Sequence, residues 1–310
     1  MATDLVLAAR NQDWEKMLEL SKKGASVDAE VSDGYNFGGY TRNALKYAVH
    51  DADAKVVDEL IKAGIENKVD QRIKKGDKGD KNKLMEEEAK KWLNTQDNSG
   101  TGLLPISYAV FRGDADIFNV LVKHGADPKK NNRLLCNTAR RCRYEGANVK
   151  EIARILIEKH GFDVHTCHDT FGDTPLHEAA VYGCDQDFMQ VLTSKGAKVN
   201  AYNKSAQSPL HKAAGMGSAV AVTALIELGA ELEKADNSSP IGFTPLQLAE
   251  GKQFEYVAQL LRDAIKEKKS GKQVAGAPKS TTTAGAQATV PGAEKTTSIA
   301  ARKLALFDWP

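Results

Sequence analysis

The chain has 310 residues, a hydrophobic fraction of 41% and a formal net charge of +2 at pH 7. This near-neutral charge predicts no general affinity for nucleic acid or for an anionic membrane surface. No stretch approaches 18 consecutive apolar residues, so we predict no membrane span, and the first residues lack the basic start of a signal peptide. Length and composition leave room for one or two globular domains or for one repeat array.

Pairs of short apolar helices, most of them closed by a glycine, are predicted along the first part of the chain. The spacing of apolar residues indicates the helices, and glycine is the residue that most readily ends one. Four such pairs precede residue 162, and their second helices are predicted to end at Gly24, Gly64, Gly125 and Gly161.

An insertion at about residues 67–98 separates the second pair from the third. Its first half, Lys68–Lys83, is highly charged, and we interpret it as mobile. Its second half, Leu84–Leu93, places the apolar residues near one helical stripe. We therefore predict a short helix that packs Trp92 against the repeats. A plain insertion and a partner-binding finger both fit this segment.

One phrase occurs twice at a repeat-length spacing. Thr174–His177 reads TPLH, and Ser208–His211, 34 positions later, reads SPLH. The hydroxyl residue can cap a helix, and the proline that follows fits the first helical position. The Ala-Ala pair after each phrase lets a neighbouring helix approach closely. A unit of this size cannot bury its own apolar face, so copies must stack to form a core.

In length and phrase these units resemble the ankyrin repeat. The resemblance covers about residues 3–266 and implies an all-α solenoid of about seven stacked helix-turn-helix units with short hairpin loops and degenerate terminal units. In the seventh unit, Gln247 stands where the phrase has histidine. Because the family uses these histidines to hydrogen-bond adjacent repeats, the resemblance implies structural roles for His177 and His211.

Beyond residue 266 the composition changes to Gly, Ala, Thr, Pro and Lys. Residues 267–298 cannot offset their ordering entropy, and we predict a disordered linker. Residues 299–310 are predicted to be a docking peptide, with the apolar and aromatic side chains Leu304, Leu306, Phe307 and Trp309. A partner protein, the repeats themselves and a secretion or chaperone receptor are alternative docking sites, and a frayed end without a role also fits.

Residues with catalytic or metal-binding chemistry are few. The cluster His165–Asp169 lacks the two spaced ligand pairs that structural zinc needs. Phosphate-binding loops, kinase motifs and dinucleotide fingerprints are missing from the sequence. We therefore predict a non-catalytic, cytoplasmic protein with no metal and no cofactor. The cysteines lack a framework spacing and are interpreted as free buried thiols of a reducing cytosol: Cys136, Cys142, Cys167 and Cys184.

In ankyrin-type stacks, partners usually bind a concave face formed by the hairpin tips and the exposed turn of each first helix. Aromatic residues and arginine, which often dominate interface energies, are common at the matching positions of this chain. The resemblance implies the following partner-binding residues: Tyr40, Arg42, His50, Phe111, Arg112, Lys129, Lys130, Arg140, Arg141, Phe171, Asp173, Tyr182, Lys204, Met216 and Phe243.

Three functions fit the sequence. The leading interpretation is a monomeric scaffold that binds another protein along the concave face. The second is a bacterial effector or regulator that acts in a host cytosol and uses its C-terminal tail as a secretion or docking signal. The third is binding of nucleic acid or an acidic ligand through the basic cluster of the fourth unit. Sparse stacking aromatics in that cluster argue against nucleic acid.

Overall fold

A computed structural model describes residues 1–28, 31–32, 41–95, 103–142, 148–167, 169–237 and 242–270, with the backbone alone at 31–32 and 41–42. The chain divides into two units after Val274, and all described residues lie in the first unit, Met1–Val274. No helix in this described part is both long and apolar enough to cross a membrane. The predicted docking peptide and all but four residues of the predicted linker lie outside the described residues.

The regular secondary structure of the described part is almost entirely helical. A 3-10 helix covers Pro128–Lys130, and two short strands, β1 Val31–Ser32 and β2 Thr41–Arg42, pair antiparallel with Val31 opposite Arg42. The α-helices are α1 Ala2–Arg10, α2 Trp14–Lys22, α3 Ala44–Asp51, α4 Ala54–Lys74, α5 Lys81–Leu93, α6 Pro105–Arg112, α7 Ala115–Lys123, α8 Leu134–Ala139, α9 Val149–Glu158, α10 Pro175–Val181, α11 Gln186–Thr193, α12 Pro209–Gly215, α13 Ala219–Glu227, α14 Pro245–Gly251 and α15 Glu255–Lys269.

Fourteen of these helices form seven consecutive pairs arranged in two layers, and α5 is the helix outside this pattern. In the first layer the neighbours are packed in the order α1, α3, α6, α8, α10, α12 and α14. In the second layer the order is α2, α4, α7, α9, α11, α13 and α15. A continuous core of buried aliphatic and alanine side chains runs between the layers. The predicted all-α stack of about seven units is confirmed.

The TPLH-type phrases start helices in the way that the sequence predicts. Thr174, Ser208 and Thr244 each accept a hydrogen bond from the backbone N–H three residues later. The side chain at that third helical position accepts the N–H of the capping residue in return, which completes a capping box. Both bonds satisfy backbone donors that a helix start otherwise leaves unpaired.

Gly64 does not end a helix, and the prediction that it does is wrong. Helix α4 continues through Gly64 to Lys74. A Cβ atom at Gly64 would lie 2.7 Å from Val27 Cγ2 and 3.0 Å from Trp92 Cη2. The missing side chain therefore serves packing, because it lets the Trp92 ring of α5 lie directly on α4.

The charged segment Lys68–Lys83 is ordered at both of its ends, contrary to the prediction of a mobile segment. Lys68–Lys74 forms the last two turns of α4, and α5 begins at Lys81. The Arg72 guanidinium donates hydrogen bonds to Asp77 at 2.9 Å and to Glu88 at 3.0 Å. Because these bonds join α4 to the turn and to α5, the insertion folds back as a helical hairpin on α4.

The prediction of four free thiols is also wrong. Cys136 forms a disulfide with Cys167, and Cys142 forms a disulfide with Cys184. Both bonds join the fourth helix pair, α8 and α9, to the fifth pair, α10 and α11, or to the loop that precedes it. The partners are 31 and 42 positions apart, and the first of these separations is close to one repeat length. Stacking of neighbouring units brings such positions side by side.

Candidate functional site

His177 links the fifth pair to the sixth, which is the structural role that the resemblance implies. Its Nδ1 accepts the backbone N–H of Thr174 at 3.1 Å, so the ring proton lies on Nε2. Nε2 then donates to the carbonyl oxygen of Gln207 at 2.9 Å, in the loop that precedes α12. Burial lowers the pKa of His177, which keeps the ring neutral.

The third residue of each first-layer helix occupies an equivalent place. In two further pairs this residue also bonds to the loop that precedes the next first-layer helix. Ser107 of α6 accepts a hydrogen bond from the Asn131 side chain at 3.0 Å, in the loop that precedes α8. Cys136 of α8 forms its disulfide with Cys167, in the loop that precedes α10. The connection between units is therefore a hydrogen bond at some junctions and a covalent bond at the junction of the fourth and fifth pairs.

Six of the predicted partner-binding residues are exposed. Phe171 is 65% exposed, Met216 is 50% exposed and Phe243 is 38% exposed. The other three are the exposed lysines Lys129, Lys130 and Lys204. Burial of such exposed apolar side chains by a partner would contribute favourably to the free energy of binding.

Phe171 projects from a loop that two neighbouring residues hold in place. Its carbonyl oxygen accepts the backbone N–H of Lys204 at 3.0 Å. The Nζ of Lys212 lies 6.0 Å from the centre of the Phe171 ring and also donates to Asp173 Oδ2 at 3.1 Å. A ring that is exposed but fixed at its base loses less conformational entropy when it binds a partner.

Tyr182 lies at the end of α10 and packs against the basic residue at the end of α8. The guanidinium of Arg140 lies 5.6 Å from the centre of the Tyr182 ring, a cation–π distance. Arg140 Nε also lies 3.7 Å from a carboxylate oxygen of Glu178. Burial raises the pKa of Glu178, and the positive charge of Arg140 opposes that shift. These three residues form a polar edge between the fourth and fifth pairs.

Basic residues at the ends of first-layer helices bind the preceding helix end, a contact that sequence reasoning missed. Arg112 donates to the carbonyl oxygen of Ala52 at 2.5 Å, and Lys252 donates to that of Gly215 at 2.8 Å. The Arg141 guanidinium lies 3.5 Å from the carbonyl oxygen of Arg112. Each cation thus lies near carbonyl groups that a helix end leaves unpaired. Binding a partner would compete with these internal contacts.

Asp173 differs from the surface position that the resemblance implies. Its side chain is buried, and it accepts a hydrogen bond from the Asn203 side chain at 2.7 Å in addition to the bond from Lys212. The structure therefore gives Asp173 a role in joining the fifth pair to the sixth. His50 and Phe111 are half-buried, and the His50 ring lies 2.8 Å from the Asp51 carboxylate.

Three carboxylates could approach one cation. Asp169, Asp173 and Glu178 place one oxygen each within 4.8 Å of one another. Each has a partner in the protein: Asp169 accepts the N–H of Asp173 at 3.0 Å, Asp173 holds Lys212, and Glu178 faces Arg140. These contacts within and between the repeats account for the closeness of the three carboxylates without a bound cation.

The remaining predicted site residues lie outside the described side chains: Tyr40, Arg42, Leu304, Leu306, Phe307 and Trp309.

Comparison with known proteins gives a family for this architecture. The family described as ankyrin repeats (3 copies) matches residues 106–203 and 185–270, which together cover more than half of the chain. Alpha-latrocrustotoxin-Lt1a of Latrodectus tredecimguttatus is 36% identical over 110 residues, which are 34% of this chain and 7% of the toxin. Transient receptor potential cation channel subfamily A member 1 of Drosophila melanogaster is 29% identical over 138 residues, 44% of this chain and 11% of the channel.

The chain spans less than an eighth of the length of either relative. The similarity to both proteins is therefore a similarity to one part of each. The helix pairs, their capping boxes and the His177 link agree with the family match at residues 106–270. The chain belongs to the ankyrin-repeat family.

Proposed function

We propose that this protein is a non-catalytic recognition scaffold and that it binds another protein through a surface on the first helical layer. We define this first-layer surface by Phe171, Tyr182, Lys204, Met216 and Phe243. Ankyrin repeats generally mediate protein–protein interaction, and the family is typically non-enzymatic. The observation that carries the proposal is the exposure of three large apolar side chains of this surface: Phe171, Met216 and Phe243.

Charged residues among the predicted partner-binding positions indicate the chemistry of the partner. Among the described residues, the exposed Lys129, Lys130 and Lys204 have no ion pair, whereas Asp173 and Glu178 are buried and face cations of the protein. We expect the partner to present apolar side chains together with acidic residues. Such a partner would cover the exposed rings and neutralise the lysines.

The test compares two double variants, each of which removes two exposed apolar or aromatic side chains, one on the proposed surface and one away from it. The partner is first identified by affinity capture and then purified. Phe171→Ala with Met216→Ala is expected to weaken its affinity by about tenfold or more, because central aromatic and apolar anchors dominate interface energies. Val220→Ala with Tyr256→Ala removes similarly exposed side chains from α13 and α15 and is expected to change nothing. Equal affinity in both variants would contradict the proposed surface.

Binding of nucleic acid through the basic cluster has less support. Arg140 faces Glu178 and Tyr182, and Arg141 lies beside the carbonyl oxygen of Arg112. These contacts leave fewer cations for phosphate groups. Nucleic-acid binding predicts an affinity that falls steeply with salt concentration, so a salt titration distinguishes the two functions. The effector alternative rests on residues 271–310, and a secretion assay of a chain without them tests it.

The disulfides bear on the compartment in which the protein acts. Structural disulfides form and persist in oxidising environments and are rare in the cytosol. The two bonds between the fourth and fifth pairs therefore favour folding in an oxidising compartment over the cytoplasmic location that the sequence predicts. Thiol titration of the protein isolated from its native source under alkylating conditions tests this proposal.

A further inference from the structure

Both disulfides lie at one junction of the stack, between the fourth and fifth pairs. Cys136 occupies the third position of α8, the position that His177 occupies in α10. His177 makes a hydrogen bond to the loop that precedes the next pair, whereas Cys136 makes a covalent bond to Cys167 in the equivalent loop. A reductant can break the second kind of link and not the first.

The helix that carries Cys136 has little support of its own. Helix α8 has six residues, and no side chain caps its start at Arg133. In contrast, α10 begins with a capping box and a proline. Short helices are marginal without tertiary contacts. All six residues of α8 are buried, so the helix depends on its contacts with the neighbouring units, which include the Cys136–Cys167 bond.

The four sulfur atoms differ in accessibility. Cys136, Cys167 and Cys184 are at most 2% exposed, whereas Cys142 is half-buried. Thiol–disulfide exchange requires that a thiolate reach one sulfur of the bond. The Cys142–Cys184 bond is therefore the first that a reductant can attack.

We propose that the two disulfides, which we call the cysteine clamp, are a redox switch that sets the geometry of the first-layer surface. A thiolate of a dithiol reductant attacks Cys142 Sγ, the bond to Cys184 breaks, and Cys184 leaves as a thiolate that takes up a proton. The second thiol of the reductant then displaces the Cys142 sulfur, which is protonated in turn. Two electrons and two protons reach the protein, and the reductant becomes a disulfide. The same exchange opens Cys136–Cys167 once α8 has loosened.

Reduction changes the surface because Arg140 lies between Cys136 and Cys142 in sequence, at the end of α8. Its guanidinium contacts the Tyr182 ring and Glu178, so movement of α8 separates the edge of the fourth pair from that of the fifth. The reduced Cys184 thiol, whose sulfur lies 3.4 Å from the carbonyl oxygen of Ala139, can donate a hydrogen bond there and partly hold the junction. The consequence for partner binding rests on the proposed function.

Hydrogen–deuterium exchange of the full chain, before and after treatment with dithiothreitol, tests the switch. We expect amide exchange in residues 134–142 and 174–184 to rise by about tenfold or more on reduction, because local opening becomes easier. Residues 209–227 of the sixth pair should not change, and reoxidation with oxidised glutathione should restore the slow exchange. Maleimide labelling during a dithiothreitol titration should reach Cys142 and Cys184 first. Unchanged exchange in the reduced protein would overturn the proposal.

A pair of variants separates this inference from the proposed function. Cys142→Ser with Cys184→Ser removes the accessible bond, and its exchange in residues 134–142 should lie between the oxidised and reduced wild-type values. If that variant does not fold, the titration of the wild-type protein decides. Amide exchange that rises on reduction supports the cysteine clamp, whatever the effect of Phe171→Ala on partner affinity. An unchanged partner affinity in Phe171→Ala would contradict only the proposed surface.

Discussion

Two neighbouring junctions of this stack join adjacent helix pairs with different kinds of bond. Between the fifth and sixth pairs, a neutral His177 donates a hydrogen bond to Gln207. Between the fourth and fifth pairs, Cys136 stands in the histidine position and bonds covalently to Cys167. The comparison shows that the third residue of a first-layer helix can be joined to the next loop by a hydrogen bond or by a covalent bond, depending on which residue occupies that position.

The two links act on stability in different ways. A buried hydrogen bond contributes about 0.5–1.5 kcal/mol net, and losing one partner also leaves the other unsatisfied. A disulfide contributes about 2–4 kcal/mol, mainly by restricting the unfolded chain. The covalent junction is therefore the stronger one, but only under oxidising conditions.

The largest expected effect comes from removing the covalent link. Cys136→Ala with Cys167→Ala should lower the free energy of unfolding by about 2–4 kcal/mol in oxidising buffer, because the unfolded chain regains the freedom of the closed loop. Urea unfolding followed by circular dichroism measures it. In reducing buffer the variant and the wild-type protein should differ by less than in oxidising buffer, because neither chain then has the bond. A loss that is equally large in both buffers would show that packing, and not the bond, stabilises this junction.

A smaller effect is expected at the hydrogen-bonded junction. His177→Ala should cost about 1–3 kcal/mol, because it leaves the Thr174 N–H and the Gln207 carbonyl unsatisfied in a buried place. His177→Gln is the matched control, since Gln247 completes the capping box of α14 at the same helical position. Urea unfolding should place the glutamine variant between the wild-type protein and the alanine variant. Equal losses in both variants would contradict the assigned role of the cap.

The two buried capping-box histidines, His177 and His211, also predict a pH dependence that the covalent junction lacks. Burial lowers the pKa of His177 and of His211 below the ordinary value of 6.5, so the unfolded chain binds protons more readily than the folded chain. The contribution of these neutral histidines to the free energy of unfolding should therefore be present above pH 6.5. It should fall as the pH drops from 6.5 towards the folded-state pKa values. Replacing both histidines by glutamine should flatten the curve between pH 5 and pH 7, and an unchanged slope would contradict this account.

The smallest effect on stability is expected at the proposed binding surface. Phe171→Ala should change the free energy of unfolding by no more than about 0.5 kcal/mol, because the ring is exposed. Leu176→Ala, five positions later in the buried part of α10, should cost about 2–5 kcal/mol. Thermal unfolding of both variants makes the comparison. A large loss at Phe171 would mean that the ring is part of the core.

Sequence reasoning predicted the stacked helix pairs because the repeat phrase carries its own local chemistry. A cap, a proline and an alanine pair act within one helix, so they can be read without knowledge of neighbours. Cys136 lies outside a recognisable phrase, and its equivalence to His177 follows from the helix bounds, since each is the third residue of a first-layer helix. The separation of 31 positions to Cys167, close to one repeat, was the available signal.

The misread elements depended on contacts between distant segments. Gly64 resembles a helix end, but it is needed for the close approach of Trp92. Asp173 resembles a loop-tip contact, but Asn203 and Lys212 of the next pair enclose it. Arg112 was predicted to face a partner, and its bond to the Ala52 carbonyl depends on the position of the preceding helix. Such contacts follow from the stacking geometry and not from local sequence.

Disulfide mapping tests the central comparison most directly. The full chain, alkylated without reduction and digested, is analysed by mass spectrometry. The account predicts two cross-linked peptide pairs, one joining Cys136 to Cys167 and one joining Cys142 to Cys184. Four alkylated thiols in protein refolded under oxidising conditions, or any other pairing, would contradict the claim that a covalent bond takes the place of the histidine link.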